Sequence, residues 1–447
     1  MDLMKMKKEE LLSKCNEYGI KKVKSKTKKQ LIALLEEQIN NLIVFNEPTK
    51  KEETNDSLDL SCYKFIDLFC GIGGFHQALH KMGAQCILAC DIDKSCREVY
   101  KDNYGIEPVT NVKDINEKTM DDFDILCAGF PCQSFSNGGK KKCFDDERGL
   151  LFDEIVRIAK EKQPKFMFLE NVKHILKVSN GEVITYIKNK ISLLGYNLQL
   201  FQISPHNYGI PQQRERIYFV CIRNDIYNGR DIVLPKYTGK IDFQKFLDKD
   251  EDIQEKYYIK GDTLNVLESW DEMLKKFEIG EKISPTIMIN DAFNIYSQSE
   301  FDSFPNWKKD YITKNKYLIE KYNTEFIEWY NKYSSLLKKR EIYGKLEWQT
   351  GHVQHNDSIF NHFIQIRQSG IRVKKSNYFP TLVAISQIPI YGKKKRYITP
   401  RECARLQSFP ETFKLSNDDK KSYKQLGNSV NVDNVYTVIR TTLKNYL

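Results

Sequence analysis

The chain lacks any long apolar run. Hydrophobic residues make up 40% of its 447 positions and charged residues 29%, with a mean hydropathy of -0.55, so no stretch offers the roughly 20 consecutive apolar residues that a membrane-crossing helix needs. The opening MDLMKMKKEE is basic but has neither an apolar core segment nor a small-residue cleavage site, which argues against a secretory signal and for an intracellular protein with no membrane partner. Paired cysteines are lacking as well. The eleven cysteines are odd in number and show no CxxC spacing or disulfide-like rhythm, and five fall between Cys62 and Cys96; reduced thiols are the simplest reading. Histidine is scarce, at seven. His76 and His80 share HxxxH spacing, but no glutamate follows His76 and the cysteine gaps are irregular. No metal site is expected, and two histidines on one helix face read as packing.

Positive charge is in excess. Lysine and arginine number 70 against 60 acidic residues, giving +10 and a pI near 8.8, which favours a polyanionic partner, nucleic acid first. The 25 Tyr, 25 Phe and four Trp could stack on bases, although most aromatics in a chain of this size are core. The length allows two or three domains with at least one large core.

Residues 1–45 read as two helices around a short basic turn. Leu11, Leu12 and Cys15 face inward from the first, and Leu31, Leu34, Leu35 and Ile39 from the second, which Thr27 and Gln30 start with a capping-box pattern. Residues 46–60, polar and charged without periodicity, read as a flexible linker. From Tyr63 strand and helix patterns alternate: YKFIDLF, GFHQALHKM, CILACD, KSCREVYKDNY, FDILCAG, LLFDEIVRIAKEK, KFMFLE, VITYIKNKISLLG and RIYFVCI. This rhythm predicts βαβ units over residues 61–225: a Rossmann-like α/β catalytic domain with a mostly parallel sheet and helices on both faces. Residues 226–395 read as a smaller, irregular second domain with a helical segment at YLIEKYNTEFIEWYNKYSSLLKK and a basic, strand-like stretch at GIRVKKSNYFPTLVAISQIPIYGKKKR. Residues 396–447 return to helical patterning that closes back onto the first domain.

Gly71, Gly73 and Gly74 directly follow the strand FIDLF and precede a helix, where backbone can approach a ligand; a tight turn with no ligand is the alternative. Asp91 ends the second strand, twenty residues after Gly71, placed to bond a ribose diol. Asp114 and Ile115, at the third strand, suit an adenine amine and an apolar face. An adenosine-containing ligand follows, with NAD and S-adenosylmethionine both open. The GxGxxG spacing is incomplete, because His76, Gln77 and Ala78 follow Phe75 without a further glycine, and this favours a ligand without pyrophosphate.

AGFPCQSFS, FMFLENV and PQQRERIYFV place a cysteine, a glutamate and two arginines in one ordered series. Cys132 follows a strand over residues 123–128, at the carboxyl end where an open α/β sheet presents its chemistry. Alone, it would more often be a small buried hydrophobe.

With these residues the chain resembles the DNA (cytosine-5) methyltransferases. DLFCGIGGF resembles the first cofactor motif of that family, GFPCQSFS the catalytic motif, ENV the glutamate motif and QQRER the QxRxR motif, while RECARLQSFP and QLGNSV resemble the two late motifs. They stand in family order over residues 65–222 and 396–435, around a variable middle where the family keeps its target-recognition domain. The resemblance implies an S-adenosylmethionine-dependent enzyme, double-stranded DNA as partner, and transfer to carbon 5 of a cytosine extruded from the duplex. Carbon 5 is too poor a nucleophile to attack a methylsulfonium unaided, so Cys132 would add at carbon 6. A free thiol has a pKa of about 8.5, so the site must help it ionise. Glu170 would hold ring nitrogen 3 and the exocyclic amine, Arg216 would face the carbonyl at position 2, and Arg214 would support the loop. Phe69, Gly71, Gly73, Asp91, Ile92, Asp114 and Ile115 would line the cofactor site, with Asn428 and Ser429 completing it or acting through the fold.

The resemblance also makes SNGGKKKCFDDERG a lid, to which Gly138 and Gly139 lend freedom, with Gln133, Ser136, Lys140, Lys141 and Lys142 near DNA; a solvated lysine run is the alternative for the last three. The basic run over residues 367–378 is the best candidate for groove contacts. A monomer working beside a cognate restriction endonuclease is the setting that family habit suggests, and viral or epigenetic roles are compatible. The amino-terminal pattern resembles SAP-like DNA-binding modules, with a plain hairpin docked on the body as the alternative. Two departures stand out: Asp91 replaces the more common Glu, and Lys113 the more common Gly. A transfer-RNA methyltransferase of the same fold would carry a CFT tripeptide, absent here, and a non-catalytic homologue would have no need of Cys132 and Glu170. A nicotinamide oxidoreductase leaves PCQ, ENV and QRER unexplained.

Overall fold

The computed structural model describes residues 7–17, 23, 26–32, 34, 58–131, 150–283, 286–384 and 387–447. Cys132, Gln133, Ser136, Lys140, Lys141 and Lys142 lie outside the described residues, as do Leu35, Ile39 and residues 46–57 of the expected linker.

Four short runs become parallel strands, β1 (Lys64–Leu68), β2 (Gln85–Cys90), β3 (Ile125–Gly129) and β4 (Phe166–Val172); β1, β3 and β4 are largely buried on both faces, as parallel sheets require, while the edge strand β2 is exposed at Gln85 and half-buried over residues 86–88. Two further strands, β5 (Tyr196–Ile203) and β6 (Arg216–Arg223), add antiparallel pairings at one edge, giving the order β2-β1-β3-β4-β6-β5. The chain leaves β1 toward β2 on one side and then lays β3 on the other. The crevice beyond the carboxyl ends of β1 and β3 is therefore the topological switch point, where open α/β sheets bind ligands.

Helices cover both faces. α1 (Lys8–Glu17) belongs to the amino-terminal segment, and α2 (Gly74–His80) and α3 (Lys94–Tyr104) pack on one face of the sheet. α4 (Leu150–Lys162) and α5 (Glu182–Leu193) pack on the other; α5 buries Val183, Ile184, Ile187 and Ile191, the i, i+4, i+8 stripe of an amphipathic helix.

Two sequence expectations shift here. The strand expected over residues 123–128 runs Ile125–Gly129, because the Asp124 carboxylate takes the Lys64 N–H at 3.0 Å while Gly129 still pairs with Glu170. Asp114 and Ile115 both precede β3: Asp114 ends a 3-10 turn, Val112–Asp114, that the Asn111 side chain caps at 3.1 Å, and Ile115 follows it in extended conformation; the strand pairing at this place is a single bridge from Val109 to Cys90.

The middle of the chain is more regular than its sequence suggests. Six strands, β7 (Ile287–Met288), β8 (Lys345–Gln349), β9 (Phe363–Arg367), β10 (Gly370–Lys374), β11 (Ile390–Tyr391) and β12 (Arg396–Tyr397), form a second sheet of order β12-β11-β9-β10-β8-β7. It has its own core with α6 (Gly261–Leu274) and α8 (Asn323–Lys338), and α7 (Asn306–Lys321) contributes Leu318. Trp270 and Trp329 meet there at 4.8 Å, and their indole N–H groups donate to the carbonyls of Tyr343 and Ser269. The segment expected as one helix breaks at Tyr322, whose ring is buried and whose hydroxyl donates to Glu281 at 2.6 Å.

The carboxyl-terminal helices return to the first sheet. α9 (Pro400–Leu406) starts with a capping box between Thr399 and Glu402, followed by α10 (Asp419–Asn428) and α11 (Val432–Tyr446). α11 packs on α2 and buries Val435, Val438, Ile439 and Leu443 in the first domain's core.

At the amino terminus, Leu11, Cys15, Val23, Leu31 and Ile32 make a small separate core, with Leu12 and Leu34 half-buried against it. The Thr27–Gln30 capping box forms, at 3.0 and 3.3 Å. Leu60, inside the stretch expected as linker, is fully buried and donates its N–H to Met82. Among the described residues, no helix is long and apolar enough to cross a membrane.

Candidate active site

Strand register brings Glu170 to the crevice. On β4 it pairs with Gly129 at the end of β3 and with Tyr218 on β6; because side chains alternate along a strand, Arg216, two residues before Tyr218, stands on the same face. Its Nε lies 3.0 Å from Glu170 Oε1. The approach is close but not a directed hydrogen bond, since among the described residues no donor meets that buried oxygen in bonding geometry. Glu170 is only 8% exposed. Burial pushes its carboxyl above the ordinary 4.5, and the neighbouring charges of Arg216 and Arg214 hold the rise in check. The result is an acid that keeps its proton more readily than usual and has one acceptor to spare.

Arg214 is buried as well, and its guanidinium donates to three carbonyls: Leu382 at 2.7 Å, Gly427 at 3.0 Å and Ser429 at 2.8 Å. Burial, with the charge of Arg216, pushes it down to about 9, which leaves it a cation at neutral pH. It fastens the end of β6 to the middle of the chain and to the segment after α10.

Asn171 was not singled out by sequence reasoning. Its amide donates to the Phe130 carbonyl at 2.9 Å while its own oxygen accepts the Val172 N–H at 2.8 Å, fixing the backbone two residues before Cys132. Its signal was its place between an acid and a valine at the end of an apolar strand, where an amide needs a buried partner.

At the other end of the crevice, Phe69 adopts a positive φ of 54°, uncommon for a bulky residue and a frequent mark of functional loops. Gly71 has the same φ, and a Cβ there would meet nothing within 4 Å, so its backbone faces open space. Gly73 is closed over: a Cβ would lie 2.3 Å from the Tyr104 ring. The Asp91 carboxylate accepts one N–H on each oxygen, from Gly71 at 2.7 Å and Asp93 at 2.8 Å, and keeps lone pairs for further donors. Ile92 beside it is 78% exposed. Burial is the main reason the Asp91 carboxyl lies above its ordinary range.

Gly129 joins the two ends. A Cβ on it would stand about equally far from the Phe69 carbonyl (4.0 Å), Glu170 Oε2 (4.0 Å) and the Val430 side chain (3.9 Å), so these groups ring a single spot.

Other expected residues fall differently. Asp114 is exposed, whereas Ile115 is 5% exposed and packed in the core beneath α4, with its carbonyl held by Arg157 at 3.0 Å. Its side chain has little surface to offer a ligand. Asn428 is exposed; Ser429 is buried, with its hydroxyl bonded to the Val430 carbonyl and its own carbonyl to Arg214. A Cβ on Gly74 would strike Val430 at 2.5 Å and approach Ser429 Oγ at 3.1 Å, so that glycine lets the late segment lie against the start of α2. Lys424 and Gln425, also not foreseen, reach across to Asp93 at 2.7 Å and to the Ser95 carbonyl at 2.9 Å. His76 is a packing residue: it stacks on Tyr104 at 3.8 Å and shares a 2.6 Å hydrogen bond with the Tyr100 hydroxyl.

Residues 63–444 match the family described as C-5 cytosine-specific DNA methylase. The chain is 32% identical over 371 residues to the type II methyltransferase M.HhaI of Haemophilus parahaemolyticus, an alignment covering 83% of this chain and 91% of that protein. It is also 32% identical over 384 residues to the type II methyltransferase M1.ScrFI of Lactococcus lactis subsp. cremoris, covering 86% and 78%. Among solved structures, the Entamoeba histolytica methyltransferase EhMeth shares the fold, with a TM-score of 0.52 at 20% identity over 86% of this chain and 98% of that one.

Proposed function

The chain belongs to the C-5 cytosine-specific DNA methylases and transfers a methyl group from S-adenosylmethionine to carbon 5 of cytosine in DNA; from that premise we propose that Cys132 is the nucleophile, that Glu170 and Arg216 hold the base, and that Phe69, Gly71, Asp91 and Ile92 hold the cofactor. The observation that carries the assignment is Glu170, a buried acid on β4 whose Oε1 lies 3.0 Å from Arg216 Nε without a directed hydrogen bond and whose carboxyl is pushed above its ordinary range by burial. Its strand partner Gly129 is three residues before Cys132 in the sequence.

The chemistry follows from those residues. Cys132, as thiolate, forms a bond to carbon 6, and the displaced ring electrons reach nitrogen 3 as Glu170 gives it a proton, leaving carbon 5 electron-rich. Arg216 offers N–H donors to the carbonyl at position 2. Bound in the crevice, S-adenosylmethionine supplies an electrophilic methyl group. After carbon 5 has been methylated it loses its proton to a base, the carbon–sulfur bond breaks to release Cys132 as thiolate, and nitrogen 3 returns its proton to Glu170. The residues present fit that cofactor: the spare lone pairs of Asp91 suit a ribose diol, exposed Ile92 offers an apolar face, and Gly71 leaves the space open. Ser429 acts through the fold, as a carbonyl for Arg214.

Residues 61–225 and 396–447 together form the catalytic domain in this reading, and residues 226–395 read the target sequence. The cytosine is extruded from the duplex to reach the crevice, and the segment with Gln133, Ser136 and Lys140 to Lys142 closes over it. The protein acts as a monomer on DNA inside the cell, with a restriction endonuclease of the same specificity as its functional partner, and the basic amino-terminal hairpin adds a sequence-independent contact. Bisulfite sequencing of unmethylated mixed-sequence duplex DNA, after incubation with the protein and S-adenosylmethionine, tests the reading. Protected cytosines in one recurring short sequence support it; no protection anywhere overturns it.

A further inference from the structure

The hairpin of β9 and β10 has two unlike faces. Ile364, Ile371 and Val373 point into the second sheet's own core. By the alternation of the strands, the opposite face carries Gln365 and Arg367 from β9, Arg372 and Lys374 from β10, and Glu347 from β8, which pairs with Arg372. This face is turned toward the catalytic domain. Phe363, at its end, packs in that domain's core with Phe379, and Lys374 donates to Gln213 in the QQRER loop at 3.2 Å.

Its charges do not balance. Three cations stand half-buried, and Glu347 is the carboxylate set against them among the described residues; Arg367 and Lys374 are both held below their ordinary range, chiefly by burial and then by their cationic neighbours. A surplus of partly desolvated positive charge opposes folding unless a ligand offsets it. The arginines are also held in place. Arg372 Nε donates to Glu347 at 2.6 Å, which orients the fork and leaves both terminal nitrogens without a hydrogen-bond acceptor among the described residues. Arg367 Nε donates to Gln387 at 3.3 Å, and its Nη1 is buried without a hydrogen-bond acceptor among the described residues. Phosphate contacts tolerate flexible lysines, whereas a guanidinium clamped at one edge suits a planar, two-point acceptor.

We propose that Arg372, clamped by Glu347, reads guanine in the recognition sequence by donating paired N–H groups to O6 and N7 in the major groove, with Arg367 beside it adding a single donor. The target then contains at least one obligatory G·C pair besides that of the methylated cytosine. This rests on the reading of residues 226–395 as the part that selects the sequence.

The test uses the full chain on a random-sequence duplex library, with methylated sites read by bisulfite sequencing. The wild type should show an invariant G·C pair flanking the target, and 7-deazaguanine at that guanine, which removes N7, should lower methylation about 10- to 100-fold. Arg372→Gln should relax that position alone, Arg372→Lys should relax it too because a lysine has no fork, and both should lose their sensitivity to 7-deazaguanine. Arg367→Gln should relax the same or a neighbouring G·C position. A wild-type consensus with no obligatory flanking guanine overturns the proposal, as does indifference of the wild type to 7-deazaguanine. A uniform loss across all sequences in both glutamine variants marks phosphate or structural contacts and overturns it as well. Failure of the underlying reading looks different: no cytosine is protected in any sequence.

Discussion

Glu170 occupies a place where a carboxylate is costly, and its cost has a pH signature. Its folded-state pKa lies above the ordinary value of 4.5 because burial disfavours the anion, so the folded state holds the proton more tightly than the unfolded chain. The associated stability is fully present below pH 4.5 and is lost as pH rises through the folded pKa. Glu170→Gln, which cannot ionise, should therefore gain in melting temperature relative to wild type as pH climbs from about 4 toward neutrality. Its methylation rate should fall on the order of 10²- to 10⁴-fold, because the proton donor is gone. A variant that retains the wild-type rate would remove Glu170 from the chemistry. The identity of this acid was legible in ENV, but the role of its neighbour was not: Asn171 bonds a backbone carbonyl 41 residues away, a pairing that no local pattern announces.

At the scale of single elements, α2 is buried on several sides and carries an imidazole inside it. Burial, and then His80, push His76 down to about 3 from 6.5, so the unfolded chain takes up a proton that the folded chain refuses. Wild-type stability should fall as pH drops from 6.5 toward 3. His76→Phe, which keeps a ring against Tyr104, should flatten that decline in melting temperature measured across the same window. Gly427 near the end of α10 is constrained by space: a Cβ would lie 2.3 Å from the Val383 carbonyl carbon and 2.7 Å from the Ala384 nitrogen. Gly427→Ala should thus destabilise by roughly 1–3 kcal/mol or more, read as a lower denaturant midpoint, since backbone cannot yield as a side chain does. Strands β3 and β4 could be read from the sequence because each begins with an unbroken apolar run, and β1 because Phe65, Ile66 and Leu68 are parted only by Asp67. β7, β11 and β12 are two residues each and leave no period to detect. The break at Tyr322 was hidden because apolar residues continue at helical spacing across it, and the interruption shows only in the backbone, where Tyr322 turns out of helical conformation (φ -115°, ψ 44°).

At the scale of the molecule, distant stretches of chain converge on few side chains. Arg214 is one, joining β6 to carbonyls near residues 382, 427 and 429. Arg214→Lys keeps the charge but cannot span three acceptors, and leaving buried carbonyls unpaired costs about 1–3 kcal/mol each. The expected outcome is a clear loss of melting temperature, with weakened S-adenosylmethionine binding by calorimetry as the late segment loosens over the crevice. The architecture of the first domain was legible because six ordered motifs frame it, whereas the second sheet was not, its pairings being set by tertiary contacts rather than local pattern.

The return of α11 to α2 has a consequence for how the enzyme comes into being. Val435, Val438, Ile439 and Leu443 fill a core whose other wall is built from residues near 75, so a nascent chain can finish its first strands and its second sheet and still present an open, apolar flank. Only when synthesis has passed the last turn of that helix can the crevice take its final shape. A chain cut short before that helix should therefore leave DNA unmarked altogether, rather than marked carelessly.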